Sequence, residues 1–284
     1  MPPHNSPSRL RSLPVALCML AFASCSSTGS QGGLDADLGA YSRTVTTTSP
    51  QAQRWFDQGL GWLFAFNHDE AIHCFSEAVE LDPSCASAWW GIAVANGPHI
   101  NFPMVPPERD ALAREVLKRA RTLAAGATPV ERALIEAQHV RYGDTPPTDR
   151  APLDLAYAEA MLGVAREFPE DATVAALAAE ALMDLQPWDL WTRGGEAKGR
   201  ANEILVLLER SMELDRAHPL ANHLYIHATE ASPHPERAIP AADRLRDLVP
   251  GAGHMVHMPS HTYIRTGRLA DASRANERAM EVDA

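Results

Sequence analysis

Imidazole is the chemistry this sequence concentrates. Six of its twelve histidines fall within 39 residues, at His223, His227, His234, His254, His257 and His261. Four of them form two His-x3-His pairs, His223–His227 and His257–His261, which stand 34 residues apart. In a helix, residues four apart share a face with their Cβ atoms about 5–6 Å from one another, so each pair makes a chelating edge. Glu230 follows His227 by three residues and His254 precedes His257 by three, adding a carboxylate and a further imidazole. Such a set suits a divalent transition metal (Zn, Cu, Fe or Ni), and the scarcity of carboxylates argues against Ca and Mg. Four ligands would close a structural zinc site, whereas three with an open position would make a catalytic one. Six candidates allow one ion with an outer layer of partners, or two ions with three ligands each. Glu230 makes an all-imidazole copper pair less natural and can serve instead to orient a ligating histidine.

The interval of 34 residues is itself a repeat length, so the two edges occupy equivalent positions in successive copies of one unit. The clearest copy comes earlier. Trp55, Gly59, Trp62, Ala71, Phe75, Ala78 and Pro83 occupy positions 4, 8, 11, 20, 24, 27 and 32 of a 34-residue frame beginning at Ala52. This resembles the tetratricopeptide repeat (TPR), with Gln58 at position 7 as the departure. The resemblance implies an all-α, TPR-type α-solenoid, a right-handed superhelix of about six helix pairs over residues 51–284. Small residues such as Gly59 and Ala71 let antiparallel helices approach, and Pro83 ends the second helix.

A second copy opens with Trp89 and Ala93, then breaks into a Pro-rich loop from Gly97 to Pro107 before a helix over 108–124. Helices follow over 128–142, 152–168, 171–185 and 196–214, with Trp188 and Trp191 in a bulge between the last two. The fifth pair covers 219–248 and the sixth 253–282. Alanines 238, 272 and 279 with Pro250 and Tyr263 set the frame there without reference to histidine. It places His223, His227 and Glu230 at positions 5, 9 and 12, and His254, His257 and His261 at 2, 5 and 9. In tetratricopeptide repeats these positions line the concave groove, so the resemblance puts all six residues on one surface. The expected arrangement sets His223 and His227 opposite His257 and His261, with Glu230 and His254 at the margins. Pro259 interrupts the first helix of the sixth pair, so His254 or His257 is expected to precede the helix proper. The array ends at Ala284 without a polar capping helix, which is expected of a chain truncated there or covered by a partner.

The N-terminus is an address. Arg9 and Arg11 precede an apolar stretch from Leu13 to Ala23, then Phe22-Ala23-Ser24-Cys25. This resembles the lipobox of bacterial lipoproteins, with Phe22 in place of the usual Leu. It implies a signal peptide over 1–24, acylation at Cys25 and a flexible tether over 25–50. With Ser26 after the Cys, the resemblance points to the cell envelope, at the outer membrane. An ordinary signal peptide cut near Ser24 is the alternative. Removing residues 1–24 takes away Arg9 and Arg11 and no acidic residue, leaving 23 basic against 36 acidic groups and a net charge of −13. Such a surface repels nucleic acid and anionic lipid. No apolar run approaches the ~18 residues of a membrane span. Cys74 and Cys85 read as small buried residues rather than a disulfide framework.

Two functions follow from this pattern. One is a membrane-tethered scaffold whose groove takes a protein or peptide partner, with metal as a structural or recognition element. The other is a metal-dependent enzyme, a hydrolase or oxidase, built in the same groove. Histidines that only hydrogen-bond a peptide are the metal-free alternative. An open coordination position beneath loops would favour the enzyme, and a broad continuous groove the scaffold. His68 and His73 read as surface residues, His234 as a turn residue, and His99 as part of a loop able to fold over the groove. Trp188 and Trp191 could wall a pocket, although buried packing is the more ordinary role for Trp. There is no Gly-rich phosphate loop, nucleophile elbow or His-Glu-x-x-His motif.

Overall fold

The structure, a computed structural model, describes residues 36–284 apart from Asp144 and Pro146. The expected signal peptide, Cys25 and the start of the expected tether lie outside the described residues. The helices are α1 (Pro50–Phe64), α2 (His68–Leu81), α3 (Ala86–Ala95), α4 (Pro107–Leu123), α5 (Pro129–His139), α6 (Ala151–Glu167) and α7 (Ala172–Met183). Then come α8 (Ala201–Leu214), α9 (Pro219–Glu230), α10 (Ile239–Leu248), α11 (Gly253–His257), α12 (Pro259–Arg265) and α13 (Leu269–Val282). Taken two at a time, with α11 and α12 counted as one interrupted helix, they make six pairs. Consecutive helices pack on one another along the chain, as in a TPR-type solenoid. Among the described residues there is no strand. Two isolated bridges, His99 with Phe102 and Trp191 with Ala197, pin the two long loops.

Several helices start where the sequence supplies caps. Ser49 Oγ accepts from the Ala52 amide ahead of Pro50, and Asn67 accepts from Glu70. Thr128 and Glu131 form a reciprocal capping box, and Asp171 caps α7. The α8 helix begins at Ala201, later than expected, because Gly195 and Gly199 take positive φ and hold the preceding residues in a turn. Gly59 makes the close approach expected of it, but against a side chain. A Cβ there would lie 2.5 Å from the Phe75 ring, and one at Gly91 would lie 2.7 Å from the same ring. The two glycines thus clamp Phe75 between α1 and α3.

Residues 36–49, expected as part of a flexible tether, are instead a bound strap. It runs past the N-terminal ends of α11, α9, α7, α5 and α3, in reverse chain order. The Asp37 carbonyl accepts from the Gly251 amide ahead of α11. Tyr41 packs edge-on against His218 at the start of α9 and hydrogen-bonds Thr173 Oγ1 of α7 at 2.6 Å. Arg43 makes a two-pronged pair with Asp171, and the amide and hydroxyl of Thr46 donate to the buried Glu131 carboxylate. Thr47 reaches Asp82. These hydrogen bonds and the Arg43–Asp171 ion pair fix the strap on side chains at the helix starts. From it the chain enters α1, whose residues Gly59 to Phe64 are all buried and which packs on α2, α3 and α9. The first helix therefore touches the fifth repeat, and the C-terminal end of α1 reaches the histidines.

Candidate metal centre

Three imidazoles converge. His223 Nε2 lies 3.1 Å from His227 Nε2 and 3.0 Å from His254 Nε2. One nitrogen from each falls within 4.8 Å of the other two, and among the described residues this is the one cluster of three metal-ligating groups that does so. His223 is fully buried and His227 nearly so. The helical i, i+4 spacing on α9 sets the first two side by side, and the first turn of α11 delivers His254 across the repeat boundary.

The outer nitrogens decide the tautomers. His223 Nδ1 stands 2.8 Å from the Phe64 carbonyl, an acceptor only, so Nδ1 carries the proton and donates. His227 Nδ1 faces Glu230 Oε1 at 3.5 Å, and His261 Nδ1 faces Glu230 Oε2 at 2.6 Å. Burial opposes ionisation of Glu230, but hydrogen bonds from these two imidazoles outweigh it and hold the carboxyl down at about 2. Glu230 is thus an anion receiving two N–H groups. It follows that His223 and His227 both turn an unprotonated Nε2 toward the other at 3.1 Å. Two lone pairs cannot hydrogen-bond each other. Burial keeps a second proton off both rings, reinforced at His223 by His227 and His254: His223 is held well below its ordinary value, His227 is lowered against the pull of Glu230, and His254 is pushed down to about 4.

His257 and His261 make a second couple, with Nε2 atoms 3.0 Å apart. The expected face-to-face arrangement of the two His-x3-His edges holds in part: His227 meets His261, ring centroids 5.7 Å apart, but the partner of His223 is His254. Position 5 of the fifth repeat meets position 2 of the sixth (His223 with His254), and position 12 meets position 9 (Glu230 with His261). At these two contacts the facing residues differ by three positions in the frame, ~4.5 Å along a helix axis. His254 is central rather than marginal. Glu230 spends both oxygens on outer nitrogens, so in this arrangement it orients histidines rather than offering a ligand atom. Pro259 breaks the helix as expected, but His254 lies in the first turn of α11 and His257 at its end. Met258 keeps helical dihedrals between the two segments.

Loops close over the cluster. Phe66 has φ 59°, a left-handed value uncommon outside glycine, and its ring sits 4.5 Å from His223, with His254 and His227 stacked beyond. Trp188 sets its edge on His227 at 4.9 Å and donates its Nε1–H to the Ile100 carbonyl, tying the two long loops together. Trp191 donates to the Ala228 carbonyl. A cleft of about 360 Å³ is lined by Trp62, Phe66, Asn101 and His254, among others.

The remaining histidines divide. His99 packs against Phe66, the ring that covers the cluster, and stacks on His68 at 3.9 Å. His68 is therefore not the surface residue expected, and burial pushes it to about 4. His73 is exposed against Trp55, and His234 is an exposed turn residue beside Glu236. His218 escaped the sequence reading. It is wholly buried, caps α9 by accepting the Ala221 amide at Nδ1, and reaches Thr173 Oγ1 through Nε2. A His immediately before Pro219 was the available signal. Cys74 and Cys85 are free buried thiols.

No family model matches the sequence, and no curated protein does either. Among solved structures the chain is similar to that of YrrB, described as a TPR protein with an unusual peptide-binding site. The identity is 12%, over 81% of this chain and 86% of that one, with a TM-score of 0.32.

Proposed function

We propose that the chain is a transition-metal protein in which a TPR-type solenoid holds an ion through His223, His227 and His254. The observation that carries this reading is the approach of the two Nε2 atoms to 3.1 Å, with the other nitrogen of each ring beside an acceptor oxygen. Nitrogens 2.0–2.1 Å from one Zn ion stand roughly 2.9–3.4 Å apart, so an ion turns the repulsion into coordination. Three neutral imidazoles leave a coordination position open beneath the loops of Phe66 and Trp188, which favours a metal-dependent enzyme over a structural ion. Such an ion polarises a bound ligand and lowers the pKa of bound water toward ~7. Imidazole without thiolate suits Zn, Cu or Fe.

The test is metal analysis of protein prepared without chelator. The expected outcome is near-stoichiometric transition metal, lost in large part by His227→Ala and kept by His73→Ala. Retention of the full metal content by His227→Ala would overturn the assignment.

Docking of a protein or peptide is the second reading. It is favoured by the apolar side chains that the roofing loops leave exposed, Phe102 at 43%, Met104 at 79% and Trp188 at 53%. Replacing Phe102 and Met104 with Ala is then expected to weaken partner recovery from envelope extracts with metal content unchanged. For the address, we propose acylation at Cys25 and anchoring in the cell envelope, supported by the apolar stretch and Ala-Ser-Cys ending. A Cys25→Ala variant should leave the membrane fraction and lose labelled fatty acid; an unchanged distribution contradicts the anchor.

A further inference from the structure

We propose that His257 and His261 form a second ion site, separate from the first and joined to it through Glu230. The inference rests on the same reading of these imidazoles as ligands. Their Nε2 atoms lie 3.0 Å apart, the spacing found in the first cluster. Their outer nitrogens are likewise committed. His261 Nδ1 donates to Glu230 Oε2 at 2.6 Å, and His257 Nδ1 lies 2.7 Å from Asn276 Oδ1. With both outer nitrogens donating, the two inner ones present lone pairs to each other, an arrangement that a cation relieves. Neither residue belongs to the cluster of His223, His227 and His254, whose nitrogens all lie within 4.8 Å of one another.

The sites differ in access. His223 is fully buried, whereas the His261 side chain is 32% exposed. A cleft of about 370 Å³ opens beside His257, bounded by His254, Asn276, Met280 and Asp283. Two protein nitrogens leave the remaining coordination positions to solvent-derived ligands, so the second ion is the weaker and more exchangeable. Its class is that of the first, a borderline transition ion such as zinc or copper, because the donors are again neutral imidazoles. Glu230, with one oxygen on His227 and the other on His261, makes occupancy of one site felt at the other.

The experiment is equilibrium dialysis of the chelator-stripped full chain against rising free zinc, with the bound metal counted. The wild type is expected to fill in two steps to two ions. The double variant His257→Ala/His261→Ala should stop at one ion, with the tighter step kept. Asn276→Ala removes no ligand and should weaken only the second step, ~10–100-fold. Saturation at one ion, retained unchanged by His257→Ala/His261→Ala, overturns the second site and leaves the first standing. That result follows if the Asn276 amide nitrogen, not its oxygen, faces His257. Two steps that Asn276→Ala leaves unmoved overturn it as well. Failure of the wild type to bind any ion overturns both sites.

Discussion

At the scale of single residues, the determining facts are which nitrogen of each imidazole carries the proton and what holds it there. The histidines were legible in the sequence because a four-residue spacing repeated at 34 has few other causes. Their outer partners were not legible. The Phe64 carbonyl is a backbone atom brought from 159 residues away, and Asn276 lies on α13 with no pattern to mark it. His218 shows a different use of the same chemistry. Its Nδ1 accepts the Ala221 amide, so protonation there would set two donors face to face at a helix N-terminus that already disfavours positive charge. Burial, aided by Arg43, lowers its pKa from 6.5 to about 3. Because the folded value is depressed, the unfolded chain takes up the proton first as pH falls. The contribution of His218 is full above ~6.5 and declines by ~1.4 kcal/mol per pH unit between that value and the folded pKa. Denaturant unfolding at pH 7, 5 and 4 should show this decline. His218→Asn, which keeps a capping acceptor but cannot ionise, should make the acid limb shallower. An identical slope in the variant would remove His218 from the account.

At the scale of elements, the repeat frame located the helix pairs closely, since caps, small residues and terminal prolines are local signals. What the frame did not contain was the packing of α9 against α11, which made His254 rather than His257 the partner of His223. Nor did it reveal the strap, because residues 36–49 have no period and are fixed by helix ends far away in sequence. Gly59 joins the two kinds of information. Its place in the frame marked a close contact, and the structure identifies the partner as the Phe75 ring, held from the other side by Gly91. Gly59→Leu should overpack this sandwich and cost about 1–3 kcal/mol, read as a lower denaturation midpoint at unchanged m-value. A variant with wild-type stability would mean that α1 and α3 do not grip Phe75.

At the scale of the molecule, a groove expected to be open for a partner is approached from within by the chain's own first helix. The C-terminal end of α1 supplies the Phe64 carbonyl to His223, and Phe66 follows to cover the imidazoles. Residues from both ends of the described chain therefore build one centre, and ion binding should tighten the contact of repeat one with repeats five and six. The central claim is that His223, His227 and His254 share an ion, with His254 a full member. X-ray absorption at the metal edge, on the full chain loaded with one zinc ion, tests this most directly. The account predicts three imidazole nitrogens at ~2.0–2.1 Å in the wild type and two in His254→Ala. An oxygen shell without imidazole scattering, or a shell that His254→Ala leaves unchanged, would contradict it.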